Sequence, residues 1–238
     1  MSRNGPAEHP LLGMPRRDAT TTLVLSTATA ILFVLMAFHG PRAAVQRVDD
    51  RWLQLMLDAR SRSLTSVAKV FNVLGLVYVI WPLRVAVTLF LVLKRRLWHL
   101  AAFALAVVLS ETAIGTLKSI YDRPRPPGSL VEVTAGSFPS GHAVAASATV
   151  VAIVIALFPE GPSRYWWGLL AVAFSLAMGL SRTYLAAHWL SDSIGGTLLG
   201  TSIALGSALV VHTIRERRHG STAVRPREPA GSAAGLDR

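Results

Sequence analysis

The chain contains no cysteine among its 238 residues. That excludes disulfides, a thiolate nucleophile and any cysteine-based metal site. Charge is scarce as well: charged residues make up 16% of the sequence and hydrophobic residues 52%, with a mean hydropathy of +0.45. This is too apolar for an ordinary soluble domain of this length and implies one polytopic membrane domain. Acids are the scarcer sign, 13 Asp and Glu against 24 Lys and Arg, for a net charge of +11. Such an excess can mark a nucleic-acid surface, but here the basic residues lie between apolar runs and in the tails. Membrane flanks and an anionic ligand account for it, with no nucleic-acid partner.

The apolar runs predict an all-α, polytopic integral membrane protein of six transmembrane helices, with an interfacial amphipathic helix after the first. Residues 1–18 read as a cytoplasmic N-terminal tail, 19–212 as the six-span domain and 213–238 as a disordered cytoplasmic tail. Span 1 covers Ala19 to Phe38, long enough for a hydrocarbon core of about 30 Å, and Gly40-Pro41 ends it. Ala44 to Ser63 carries Val45, Val48, Trp52, Leu55, Met56 and Ala59 at helical spacing and reads as an amphipathic anchor on the membrane surface, or more specifically a lid over a lipid access path. Span 2 lies within Val67 to Leu93, with a kink expected at Pro82 and Arg84 expected to snorkel toward Lys94-Arg95-Arg96. Span 3, Leu97 to Leu117, holds one acid, Glu111, about two turns before Lys118 on a similar face, which suggests a structural ion pair. Spans 4 to 6 end near Phe158, Arg182 and His212. Gly196-x-x-x-Gly200 permits close helix packing. Six crossings put both termini on one side, and the basic clusters at span ends place that side in the cytoplasm.

Three polar sets then emerge together on the outer face: Lys118 with Arg125, Ser140-Gly141-His142, and Arg182 with His188 and Asp192. If the segment from His188 onward is helical, imidazole and carboxylate share one face one turn apart, and the carboxylate can orient the ring. Lys118, Arg125 and Arg182 suit a phosphoryl group and the charge of its transition state. Ser140 and Gly141 would open a helix whose free N–H groups favour an anion. Two histidines permit division of labour, one attacking phosphorus and the other protonating the leaving oxygen and then activating water. The competing reading is a set of solvated interfacial side chains. A metal site from His142, His188, Asp192 and Glu111 is disfavoured, because the surrounding cations would repel the ion.

Together, Lys118-x6-Arg125-Pro126, Pro139-Ser140-Gly141-His142 and Ser181-Arg182-x5-His188-x3-Asp192 resemble the motifs of the type 2 phosphatidic acid phosphatase (PAP2) superfamily, with no departure in residue or spacing. The resemblance implies a metal-independent, cofactor-free lipid phosphatase that works through a phosphohistidine. His188 would be the nucleophile, Asp192 its orienting partner and His142 the acid/base, while Lys118, Arg125, Ser140, Gly141 and Arg182 would bind phosphate. The expected partners are the bilayer and a lipid phosphate or diphosphate: phosphatidic acid, phosphatidylglycerol phosphate or a polyprenyl diphosphate. A lipid phosphotransferase using the same intermediate, or a non-enzymatic membrane anion-binding protein, are the alternatives.

Overall fold

A computed structural model describes residues 11–12 and 15–223; these are helical apart from turns and one long connection. Among the described residues eight helices follow in chain order: α1 (Pro15–Ala37), α2 (His39–Asp58), α3 (Arg62–Leu74), α4 (Val77–Leu93), α5 (Leu97–Tyr121), α6 (Gly141–Leu157), α7 (Pro162–Tyr184) and α8 (Leu190–Ala223). Among the described residues, α1, α5 and α8 are long and apolar enough to cross a membrane. The pair α3 and α4, bent by 51°, makes a fourth candidate span, and α6 is apolar but shorter. The chain is a multi-pass membrane protein.

Most boundaries follow from local chemistry. Gly161, at φ 131, and Pro162 open α7, where a proline lacks only an N–H that would be unpaired anyway. α5 stops at Asp122, which takes the left-handed conformation at φ 34, one that Asp tolerates better than bulkier residues.

Several expectations are corrected. α2 begins at His39, not Ala44, with Pro41 in its first turn, and the amphipathic segment is split: Ser61 caps α3 by accepting from the Leu64 N–H. The break in span 2 falls at Gly75–Leu76, and α4 runs through Pro82. Gly75 sits there because His142 fills the space a side chain would need. Arg84 does not snorkel. It is buried, donates to Thr149 Oγ1 (2.9 Å) and pairs with Glu111 Oε1 at 2.5 Å. The partner of Glu111 is therefore Arg84, not Lys118, because a charge inside the bundle is best met inside it. Helix α8 continues past residue 212 to Ala223; the remainder of the expected tail, like residues 1–10, lies outside the described residues.

The helices pack round α6, which touches α5, α7 and α8. The α6–α8 contact is the closest, as the glycine spacing suggested. A Cβ on Gly196 would lie 2.7 Å from Ser140 O, and one on Gly200 2.4 Å from Val144 O. Only hydrogen at these positions lets the two backbones approach this closely. Below that seam, Phe103, Ala106, Ala152, Ala156 and Ala204 form an apolar core. Because α5 and α7 end where α6 and α8 begin, the three polar sets arrive at one end of the bundle.

Candidate active site

The last turn of α5 supplies Lys118, the first turn of α6 supplies Ser140 to His142, and the last turn of α7 supplies Arg182. The segment 185–189 then turns through Ala186, at φ 52, and delivers His188 before α8 starts. The Ser140 N–H donates to the Asp192 carbonyl (3.0 Å), which ties the second polar set to the third. A Cβ on Gly141 would lie 3.7 and 3.8 Å from Cε and Nζ of Lys118, so the lysine lies against the start of α6. His142 is within electrostatic reach of Arg182, His188 and Lys118, and Lys118 within reach of Arg125, Arg182 and Asp192. All eight residues expected at the site are thus brought together.

His188 is held differently from the expectation. It precedes α8, so it and Asp192 do not share a helical face. Its Nδ1 lies 2.7 Å from the Ser137 carbonyl oxygen and 3.5 Å from Asp192 Oδ2. A carbonyl can only accept, so Nδ1 carries the proton and Nε2 the lone pair. Asp192 Oδ2 also accepts the Trp189 N–H (2.8 Å), closing the first turn of α8. Burial, the largest influence, pushes the His188 imidazole down to about 4; Asp192 opposes it, while Arg125 and Arg182 add to it. Near neutral pH the ring is uncharged, the form a nucleophile requires.

Arg125 uses all five of its donors. Nε donates to Ala135 O (3.0 Å), and Nη2 to Thr134 O (2.8 Å) and Gly136 O (3.3 Å). Nη1 donates to Ala187 O (2.6 Å) and faces His188 Nε2 at 3.1 Å. The arginine therefore pins the connection between α5 and α6, and one N–H rests on the lone pair of His188. Elsewhere polar atoms are left unmatched: Ser140 Oγ, His142 Nε2 and Arg182 Nε are buried without a hydrogen-bond partner. Buried polar atoms are rarely left so, and three of them beside three cations suit an oxyanion.

The supports of these groups carry no motif in the sequence. Asn72 on α3 accepts from Arg182 Nη1, and Ser137 holds His188. Arg123, passed over in a proline-rich connection, is buried and pairs with both Asp192 (2.6 Å) and Asp49 (2.7 Å). One signal was present for Asp49: it lies four residues after Val45 and three before Trp52, an acid on the apolar stripe of α2.

An all-helical membrane bundle with this cation-lined end suits a membrane protein that binds an anionic lipid headgroup. A model of the PAP2 superfamily matches residues 96–216, half of the chain, and the chain belongs to that superfamily; it is a lipid phosphate hydrolase. Phosphatidylglycerophosphatase B of Bacillus subtilis (strain 168) is 26% identical over 175 residues, covering 71% of this chain and 86% of that protein. Undecaprenyl-diphosphatase of Sulfolobus acidocaldarius is 31% identical over 119 residues, covering 47% of this chain and 53% of that one. Among solved structures, a transmembrane PAP2-type phosphatidylglycerolphosphate phosphatase from Bacillus subtilis matches with a TM-score of 0.70 at 24% identity, over 82% of this chain and 96% of that one. Aquifex aeolicus LpxE matches with a TM-score of 0.55 at 24% identity, over 65% and 91%. These two likenesses establish the fold.

Proposed function

We propose that the protein removes a phosphoryl group from a membrane lipid through a phosphohistidine on His188, without a metal. The observation that carries this reading is the His188 ring itself, with Nδ1 held 2.7 Å from the Ser137 carbonyl and Nε2 facing the Arg125 guanidinium at 3.1 Å. A phosphate entering among Lys118, Arg125, Arg182 and Ser140 takes the Nη1–H that rests on His188. That frees the Nε2 lone pair for in-line attack, so nucleophile release is coupled to substrate arrival. His142, which carries a proton once the phosphate's negative charge has offset the surrounding cations, gives that proton to the lipid oxygen as the P–O bond breaks; the neutral ring left behind then takes a proton from water as it attacks the phosphohistidine. Asp192 stabilises the positive ring that forms, and the first N–H groups of α6, with Gly141 admitting close approach, bind the equatorial oxygens.

In this proposal the helices make six crossings, with α3 and α4 forming one bent span. Both termini are cytoplasmic and the site opens at the outer headgroup level. Phosphatidylglycerophosphate is the leading substrate, since the B. subtilis relative named for it aligns over most of both chains; phosphatidic acid and undecaprenyl diphosphate follow. The test is phosphate release in EDTA from these three lipids presented in mixed micelles, with excess acceptor lipid in a parallel reaction. Release to water, inhibited by vanadate, is expected. A requirement for added magnesium, or transfer of label to lipid instead of water, would overturn the hydrolase mechanism.

A further inference from the structure

A buried cluster between α2, the connection after α5 and the start of α8 backs onto Asp192, and its other members, Asp49, Arg123 and Ser191, have no part in the chemistry above. Arg123 Nη1 donates to Asp192 Oδ1 (2.6 Å) and Ser191 Oγ (2.7 Å). Its Nη2 donates to Asp49 Oδ2 (2.7 Å) and Gln46 Oε1 (2.5 Å). Asp49 also accepts from the Ser191 N–H (2.8 Å) and the Ser191 hydroxyl (2.6 Å). Asp49, Arg123 and Asp192 are each 1% exposed or less, so two carboxylates share one guanidinium away from water. A buried ion cluster seldom adds stability over an apolar replacement of the same volume, which makes a role beyond packing the better explanation.

We propose that Asp49 is a positioning residue for the reaction: through Arg123 it fixes the Asp192 carboxylate beside His188 and keeps that carboxylate's charge available to the ring. This rests on His188 being the nucleophile. Arg123 lies between two acids, and Asp49 takes up part of its positive charge. Without Asp49, that charge acts on Asp192 alone and offsets what Asp192 offers to the positive ring formed during phosphoryl transfer. Three bonds to Asp49 also anchor α2 onto Ser191 and Arg123, so the same contact fixes where Asp192 Oδ1 can sit. The other oxygen, Oδ2, is the one 3.5 Å from His188 Nδ1. The groups that face His188 are Asp192 from α8, Arg125 from the connection, Arg182 from α7 and His142 from α6, with Lys118 of α5 reaching Asp192 and His142. Asp49 and Arg123 act on it only through Asp192.

The test uses full-length protein in detergent with labelled phosphatidylglycerophosphate, comparing wild type, Asp49→Asn, Asp49→Asn with Arg123→Gln, and His188→Ala. For Asp49→Asn, kcat should fall about tenfold or more, the scale of one hydrogen bond to a charged group. KM should stay within about twofold, because Asp49 does not touch substrate, and the acidic limb of the kcat profile should move to lower pH. In the double variant Asp192 loses its counter-charge, so kcat again falls but the limb moves to higher pH. That reversal is not expected if the cluster only braces the fold. An unchanged kcat and pH profile in folded Asp49→Asn, or shifts of the same sign in both variants, overturns the proposal. If the single variant does not fold, the double variant decides alone by the direction of its limb; failure of both to fold makes the cluster a stability element and overturns the positioning role. Activity surviving in His188→Ala overturns the nucleophile reading itself, whatever the Asp49 variants do.

Discussion

Gly75 offers a perturbation whose effects on stability and on activity should separate. Its backbone sits at φ −87, ψ −2, which alanine adopts freely, so Gly75→Ala introduces no backbone strain and should raise stability slightly by restricting the unfolded chain. The added Cβ, however, would lie 2.3 Å from His142 Cδ2, 3.1 Å from His142 Cγ and 3.2 Å from Met178 Cε. Ordinary contact between carbon atoms is about 3.5–4.0 Å, so the imidazole must move by about 1 Å or more. A displacement of that size in a reacting group costs about 100-fold in rate, or about 3 kcal/mol. The measurement is kcat on a lipid phosphate alongside thermal melting in the same detergent. A kcat reduced about 100-fold is expected, with a melting temperature lowered by no more than corresponds to the about 1–3 kcal/mol that an overpacked contact costs. A folded variant with kcat within twofold of wild type would refute the placement of His142 against Gly75 as a requirement of the reaction.

Other perturbations read other parts of the structure. Gly200→Ala would put a Cβ 2.2 Å from Ser147 Oγ and 2.4 Å from Val144 O, forcing α6 and α8 apart; a loss of about 1–3 kcal/mol should appear as a lower melting temperature. Glu111→Ala leaves Arg84, 2% exposed with Nη2 already unpartnered, without its counter-charge. With Glu111 itself 39% exposed, the loss should be about 1–3 kcal/mol, and Arg84→Met with Glu111→Leu should recover most of it. Burial lowers the His188 imidazole to about 4 from an ordinary 6.5, so the unfolded chain binds a proton more readily than the folded one between those values. The resulting penalty is absent above pH 6.5, grows as pH falls and is complete below about 4. His188→Gln should flatten that part of the stability curve against pH.

The candidate-site motifs were legible because their chemistry is packed into short spacings: Lys118 to Arg125, Ser140 to His142 and Arg182 to Asp192 each lie at one end of an apolar run. The side of the bundle they share follows from antiparallel succession alone. What holds them was not legible, for three physical reasons. Asn72 and Ser137 act through one side-chain amide and one backbone carbonyl, which leave no spacing signature. Asp49 and Arg123 sit 74 positions apart in stretches whose polarity is equally explained by a membrane surface. Pro82 lies in a helix that continues through it, whereas Gly75, an unremarked residue in a hydrophobic run, breaks the helix because a histidine from α6 needs its space. The expected helical face shared by His188 and Asp192 fails for a related reason. Ala186 turns the chain, and α8 begins only after His188, so the carboxylate approaches the ring from a helix cap.

A covalent intermediate on His188 can be captured directly. Purified protein mixed with labelled phosphatidylglycerophosphate in EDTA and quenched in alkali, which preserves a phosphohistidine, should carry label on the peptide containing His188. The label should chase into free phosphate and be absent from His188→Ala but retained in His142→Ala. Label on any other residue, or full turnover by His188→Ala, would rule out His188 as the nucleophile.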